Sequence, residues 1–121
     1  MVKPGGPAEH LGKAAEFLAS VAVLLRAGLA ARAASDAYYA AFHAAQALLA
    51  TAGLAAETHA GVHTLLARHF VKDGPLPASL SRDLTHLMAD RLLADYGVEQ
   101  EMTAATAREA VATGMRIVGA L

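Results

Sequence analysis

Two predicted helices carry the side chains of this chain whose types and spacing could do chemistry. Within residues 30–52, polar side chains recur at intervals of four, three, four and three residues and share one helix face: Arg32, Asp36, Tyr39, His43 and Gln46. Further along the chain, Arg91 is followed one turn later by Asp95 and Tyr96. Buried polar groups are unfavourable without partners, so we expect the two stretches to face each other across a cleft. That cleft is the predicted functional site.

Arg91 is the residue of this cleft best suited to bind a phosphate. Its position continues the apolar spacing of its helix, which is set by four other residues: Leu80, Leu84, Leu87 and Ala94. An arginine on or beside a core face is rarely left unpaired, and Asp36 and Asp95 are its expected partners. One interpretation is an internal ion pair that fixes the helix register. The functional alternative is an arginine held ready for a phosphate or a nucleotide.

The polar stripe of the first of these helices also has two interpretations. An amphipathic helix needs an exposed polar face, which is the simpler one. Apolar residues run beside the stripe: Ala34, Tyr38, Ala41, Ala45 and Leu48. The opposite flank is entirely alanine: Ala33, Ala37, Ala40, Ala44 and Ala47. Two nearly apolar flanks favour the alternative, a covered cleft or a dimer seam, in which His43 is either a hydrogen-bonded residue or a general base.

The spacing of His59 and His63 raises the question of a metal site. Histidines four residues apart on a helix can present two imidazoles to one ion. There is no glutamate between them, as the zinc-protease motif requires, and His69 and His86 are the only further ligands to consider. We therefore predict no metal and no cofactor, and we expect His59 and His63 at a surface or an interface.

Composition predicts an all-α protein. Alanine and leucine, which favour helices, dominate the composition. The chain of 121 residues has only three Phe, three Tyr and no Trp, so few of its residues favour a β-sheet. Small side chains bury little apolar area, which makes a homodimer the default expectation. We expect residues 1–8 to be a flexible leader and residues 9–121 to form one domain.

Charge and hydropathy exclude several classes of protein. Ten basic and eleven acidic residues are spread along the chain, without the cationic cluster of a dedicated, non-specific nucleic-acid binder. No cysteine is available for disulfide or thiolate chemistry. Polar residues interrupt every apolar run before the roughly 18 to 20 residues that span a bilayer. The leader lacks the apolar segment of a signal peptide, so we expect a cytoplasmic protein without membrane contact.

Hydrophobic period, glycine, proline and capping residues predict an up-and-down bundle of four long helices and a shorter third one. The predicted limits are Pro7 to about Ala27, about Ala30 to Ala52, a Thr58-capped helix to about Lys72, Ser79 or Ser81 to Tyr96, and Thr103 or Thr106 to the C-terminus.

The order and spacing of several short segments resemble the HEPN domain family, in its small stand-alone prokaryotic branch. Those segments are Ala37-Tyr38-Tyr39-Ala40-Ala41-Phe42-His43-Ala44-Ala45, Thr58-His59-Ala60-Gly61-Val62, Phe70-Val71-Lys72-Asp73-Gly74 and Arg91-x-x-Ala94-Asp95-Tyr96. The resemblance covers the chain from about residue 10 to its end. It implies a helical bundle that dimerises, with the second and fourth long helices lining a cleft at the dimer interface. It also implies pairing with a minimal nucleotidyltransferase in toxin–antitoxin fashion.

Many members of that family are metal-independent RNases whose motif is an arginine followed, after four to six residues, by a histidine. Here Leu92 follows the arginine where the family tends to have a polar residue, and the fifth residue after Arg91 is Tyr96. Free tyrosine has a pKa of about 10 and is a poor base at neutral pH. An RNase would therefore need His43 or His86 as its base.

The leading hypothesis is a dimeric, HEPN-like module that binds a nucleotide, an RNA or a nucleotidyltransferase partner. Its cleft contains six predicted residues: Asp36, Tyr39, His43, Arg91, Asp95 and Tyr96. The alternatives are a metal-independent endoribonuclease, whose catalytic residues would be Arg91, Tyr96 and His43, and a purely structural helical dimer.

Overall fold

A computed structural model describes residues 6–72, 74, 76–96, 109, 112–114 and 116, without the side chains of residues 90–96. Its elements are α1 (Pro7–Arg26), α2 (Ala30–Thr51), α3 (His59–Leu66), a π-helical segment (Ala67–Lys72) and α4 (Ala78–Tyr96). The protein is all-α, as predicted. Residues 109, 112–114 and 116 are helical too, and the remainder of the predicted fifth helix lies outside the described residues.

The ends of α1 and α2 are set by glycine. Gly28 has a φ of 77° and Gly53 a φ of 71°, both in the left-handed region that glycine adopts without a steric penalty. Each glycine had been predicted to stop its helix, and each helix ends two residues before it. The short turn after Gly28 places α1 and α2 side by side.

Helix α3 differs in part from the prediction. Its cap is confirmed, because the Thr58 side chain accepts a hydrogen bond from the Gly61 N–H at 2.9 Å. The single helix predicted to reach Lys72 is instead α-helical only to Leu66 and π-helical over Ala67–Lys72. The prediction missed this change because the hydrophobic period does not mark a local switch to i→i+5 hydrogen bonding.

Helix α2 lies at the centre of the core. Its apolar stripe packs against α3 and α4 in one buried cluster: Ala34, Tyr38, Ala41, Phe42, Ala45, Leu49, Val62, Leu66, Leu80, Leu84 and Leu87. Three of these residues, Leu80, Leu84 and Leu87, are the apolar positions predicted to precede Arg91 on α4. The face of α4 that leads to Arg91 is therefore a core face up to Leu87.

The alanine flank of α2 is also covered. All five of its alanines are buried: Ala33, Ala37, Ala40, Ala44 and Ala47. A Cβ added to Gly114 would lie 2.9 Å from the Ala37 carbonyl oxygen, so the C-terminal helical residues approach α2 closely there. An ion pair of 3.3 Å between Arg116 and Asp83 joins the same region to α4. Within the described part of the chain, no helix is long and apolar enough to cross a membrane.

Candidate functional site

Eight rings from α1, α2 and α3 meet on one side of α2 and form what we call the ring cluster. They are His10, Phe17, Tyr38, Tyr39, Phe42, His43, His59 and His63. Helical spacing produces the cluster, because residues four apart on α2 and on α3 project from the same face. The closest pair is Phe42 and His59, whose ring centroids are 4.1 Å apart with planes inclined by only 9°.

The Tyr38 hydroxyl is hydrogen-bonded to two histidines of α3. Its oxygen lies 2.7 Å from His59 Nδ1 and 3.3 Å from His63 Nε2, while Tyr38 as a whole is completely buried. A phenol has one proton to donate, so it can donate to only one imidazole. The other imidazole must donate its own N–H to the phenol oxygen. These three side chains form a directional hydrogen-bond chain that ties α3 to α2.

A second imidazole pair joins α1 to α2. The Nδ1 atoms of His10 and His43 are 3.1 Å apart, and the ring centroids are 5.3 Å apart with planes inclined by 29°. The rings therefore meet with their nitrogen edges toward each other, which is the arrangement of an N–H···N hydrogen bond. One Nδ1 must donate and the other accept, so protonation of the accepting Nδ1 would break the bond.

Two histidines of the cluster favour their neutral form. Burial lowers the pKa of His43 below the usual imidazole value of 6.5, and the positive charges of His10, Lys13 and His59 lower it further. Burial also lowers the pKa of His63, with a smaller effect from His59. Both imidazoles are therefore predominantly neutral at pH 7, and a neutral imidazole can accept a proton.

The edge of the ring cluster between α1 and α2 is partly open to solvent. Phe17 lies 5.4 Å from Tyr39 and 5.7 Å from His43 by ring centroid, with planes inclined by 25° and 12°. Phe17, Tyr39, His43 and His10 are each only partly buried. This edge is a row of nearly parallel ring faces.

Gln46 lies one turn beyond His43 on the same stripe. Its Oε1 atom is buried and finds no hydrogen-bond donor among the described residues. A buried acceptor without a donor is unfavourable, so this oxygen is a place where a ligand or partner group could donate.

Comparison with known proteins identifies the family. A HEPN domain model matches residues 8–121. The chain belongs to the HEPN family. It is 33% identical over 94 residues to a UPF0332 protein of Pyrococcus horikoshii, a match that covers 78% of this chain and 66% of that protein. It is 36% identical over 87 residues to a protein of Methanocaldococcus jannaschii named "Putative toxin", covering 72% and 65%.

A UPF0332 protein of Gloeobacter violaceus is 36% identical over 63 residues, which cover 52% of this chain and 50% of that protein. The chain thus spans between half and two thirds of the length of these curated relatives. The family membership confirms the resemblance seen in the sequence.

Three residues of the predicted cleft lie on α2. Asp36, Tyr39 and His43 share one face of α2, as predicted, and all three are partly buried. His10 and Phe17 of α1 stack on His43 and Tyr39 of this face. Helix α1 therefore covers part of the face that was predicted to meet α4. Asp36 lines an open cavity of about 510 Å³ between α1 and α2 together with Arg32, Glu16 and Ser20.

For the other three residues of the predicted cleft, the structure describes only the helix that carries them. Arg91, Asp95 and Tyr96 lie in α4, and Arg91 comes one turn after the buried Leu87. Their side chains lie outside the described residues. The predicted ion pair between Arg91 and Asp36 therefore stays a prediction.

His59 and His63 are both less exposed to solvent than their spacing indicated. They had been expected at a surface or an interface, but both are partly buried and hydrogen-bonded to Tyr38. Among the described residues, no group of three or more His, Asp or Glu side chains is arranged to hold a metal ion.

Sequence reasoning missed His10 and Phe17 as site residues, and it treated Tyr38 as purely apolar. Nothing in the sequence pairs His10 with His43, which lies 33 residues away. The four-residue spacing of His59 and His63 was the one sequence signal of their hydrogen bonds to Tyr38. It did not identify Tyr38 as their partner.

Proposed function

We propose that this HEPN-family protein is a module of toxin–antitoxin type that binds single-stranded RNA. The binding site is the predicted cleft, extended by the open edge of the ring cluster. Its predicted residues are Asp36, Tyr39, His43, Arg91, Asp95 and Tyr96. The observation that carries the proposal is the row of partly exposed, nearly parallel rings formed by Phe17, Tyr39 and His43.

Unpaired RNA bases stack on aromatic and imidazole faces, and this interaction tolerates many base sequences. The buried Gln46 Oε1 lies one helical turn from His43 and lacks a donor among the described residues. Base amino groups and the ribose 2′-hydroxyl are donors of the kind that this oxygen needs. Arg91 would supply a positive charge to a phosphate at the other side of the cleft.

The proposal includes a homodimer and a minimal nucleotidyltransferase as the protein partner. Both follow from the family resemblance, and the relative named as a toxin supports the toxin–antitoxin context. Leu11 and Val23 of α1 are 56% and 57% exposed, which is apolar area that a second copy would cover. Light scattering of the purified protein tests the dimer.

RNA binding is tested by fluorescence anisotropy with a short, fluorescein-labelled single-stranded RNA. Phe17→Leu removes one ring of the row but keeps an apolar side chain, and we expect it to weaken binding at least about fivefold. Phe70→Leu is the matched control, because Phe70 is a partly buried ring that packs against the core and belongs to neither the ring cluster nor the predicted cleft. Equal affinity of both variants and the wild-type protein would contradict the proposal.

A metal-independent endoribonuclease is the second candidate, favoured by the neutral His43. In that reaction a base removes the proton of the 2′-hydroxyl, whose oxygen attacks phosphorus. The bond from phosphorus to the 5′-oxygen breaks, the 5′-oxygen takes a proton from water and leaves as a hydroxyl, and a 2′,3′-cyclic phosphate remains. His43 has the lowered pKa of a base that is neutral at pH 7. Arg91 would stabilise the charge that develops on the phosphorus oxygens.

Incubation of a mixed RNA pool with the protein in EDTA tests this candidate. Cleavage by the wild-type protein that is lost in both Arg91→Ala and His43→Gln would support the RNase. Arg26→Ala is the control, because Arg26 is exposed at the end of α1. Intact RNA in every sample would leave the protein a binding module.

A further inference from the structure

The π-helical segment and the start of α4 enclose an open groove of about 570 Å³, separate from the ring cluster. Three positively charged side chains line it: Arg68 and Lys72 from the π-helical segment and Arg82 from α4. All three residues are exposed. The other described lining residues are small and either apolar or hydroxyl-bearing: Thr64, Ala67, Val71, Ala78 and Ser81.

Among the described residues that line this groove there is no carboxylate, so no acidic side chain of that set neutralises its three positive charges. The sequence showed no cationic cluster, because Arg82 joins Arg68 and Lys72 only through the fold. The π-helical geometry adds a second observation. Such segments are rare and often occur at functional sites, and this one carries two of the three cations.

The groove continues along α4. A second open cavity, of about 430 Å³, shares Ser81 and Arg82 with the first and is extended by Thr85, His86 and Ala89. These residues lie on the face of α4 opposite to its core positions Leu80, Leu84 and Leu87. The two cavities together extend from the π-helical segment along the exposed face of α4.

We propose that this basic groove binds the sugar–phosphate backbone of single-stranded RNA; the inference rests on the proposed function. The charges match a polyanion, and guanidinium groups bind phosphate oxygens with two parallel hydrogen bonds. The described residues that line the first cavity include no ring, and the second cavity adds only the imidazole of His86, so the three cations and not a stacking surface dominate the groove. It therefore contacts the backbone and is independent of the base sequence.

The salt dependence of RNA binding tests this groove. The probe is the same short, fluorescein-labelled single-stranded RNA, with its integrity checked on a gel, at salt concentrations between about 50 and 200 mM. We expect Arg68→Glu and Arg82→Glu each to weaken binding at least about fivefold at low salt. Each should also reduce the slope of log affinity against log salt by about 0.7 per lost phosphate contact.

Arg26→Glu is the matched control, because it makes the same change of charge at an exposed residue of α1. We expect its affinity to stay within about twofold of the wild-type value, since a surface charge far from bound phosphates acts only through the screened field. Equal losses of RNA affinity in Arg26→Glu, Arg68→Glu and Arg82→Glu would indicate a general effect of charge. They would contradict the proposal that RNA binds in the groove.

Two other outcomes separate this inference from the proposed function. Wild-type affinity in Arg68→Glu and Arg82→Glu, together with weakened binding in Phe17→Leu, would overturn the groove alone. No RNA binding by the wild-type protein would overturn both.

Discussion

The ring cluster and the basic groove are two sites of opposite physical character that meet along one continuous stretch of helix. Helix α3 contributes His59 and His63 to the cluster, while the π-helical segment that continues it contributes Arg68 and Lys72 to the groove. The cluster is partly or fully buried and is held by hydrogen bonds and ring contacts. The groove is open and lined by exposed cations.

This difference separates a site that also stabilises the fold from a site that only attracts a ligand. Burial makes each ring of the cluster part of the packing between α1, α2 and α3, so changes there alter the free energy of unfolding. Exposed cations are solvated in the free protein, and their removal changes stability little. We therefore expect variants of the cluster to unfold more readily and variants of the groove to keep their stability but bind RNA less well.

The largest expected effect is the loss of the Tyr38 ring. Tyr38 is completely buried, so Tyr38→Ala should lower the free energy of unfolding by about 3 to 5 kcal/mol. Tyr38→Phe keeps the ring but leaves imidazole nitrogens of α3 without their partner, at a cost of about 1 to 2 kcal/mol. Urea unfolding followed by circular dichroism measures both.

Arg82→Ala is the counterpart of this change in the groove. Arg82 is exposed, so the variant should unfold within about 0.5 kcal/mol of the wild-type protein. A decrease in the free energy of unfolding as large in Arg82→Ala as in Tyr38→Ala would contradict the distinction between the two regions.

The next effect concerns the turn that places His59 and His63. A Cβ at Gly61 would lie 2.9 Å from both the Ala56 Cβ and the Thr58 Oγ1. Gly61→Ala should therefore push apart the cap of α3 and lower the free energy of unfolding by about 1 to 3 kcal/mol.

Gly12 provides the matched control on α1. An added Cβ at Gly12 meets nothing within 4 Å, so Gly12→Ala should stabilise the exposed helix by about 0.5 to 1 kcal/mol. The two glycine substitutions should thus shift the urea midpoint in opposite directions. A stabilising Gly61→Ala would show that the cap of α3 can yield without cost.

A smaller effect is expected at Gln46. Its Oε1 is buried without a donor among the described residues, so Gln46→Met, which keeps the length of the side chain, should stabilise the free protein by about 1 kcal/mol. If the oxygen accepts a hydrogen bond from RNA, the same variant should bind RNA more weakly. Destabilisation by 1 kcal/mol or more would instead indicate that the amide has a partner.

Local sequence signals predicted the helices well because helix ends are decided locally. Gly28 and Gly53 adopt positive φ, and Thr58 caps α3, so each boundary depends on one residue type. Hydrophobic period correctly assigned Tyr38 to the core and Asp36 and His43 to one face of α2. It did not identify the π-helical segment, whose onset no residue type marks.

Contacts between distant helices could not be predicted in the same way. The period of a helix shows which residues share a face but not which faces meet, so neither the His10–His43 bond nor the meeting of Arg82 with Arg68 was foreseen. Tyr38 shows the same limit within one residue. Its ring follows the apolar stripe, whereas its hydroxyl reaches histidines more than 20 residues away.

The smallest effect on stability is expected from acid, and it distinguishes the neutral cluster from the charged groove. The folded-state pKa values of His43 and His63 lie below 6.5, because burial penalises the charged imidazole. Between each lowered pKa and 6.5, the unfolded chain binds more protons than the folded one. The free energy of unfolding should therefore be constant above this range and decrease as the pH falls through it.

Groups that face these imidazoles from α1, α2 and α3 act in the same direction. Positive charge on His10, Lys13 and His59 disfavours a charge on His43. A protonated imidazole can only donate, so protonation of the α3 ring that accepts from the Tyr38 hydroxyl breaks that hydrogen bond. The effect is modest because both imidazoles are only partly buried. Urea unfolding across this pH range should show it in the wild-type protein and much less in the double variant His43→Gln/His63→Gln. The control His69→Gln/His86→Gln replaces two exposed histidines and should keep the wild-type profile, and an equal flattening in both double variants would mean that the ring cluster is not the source of the acid sensitivity.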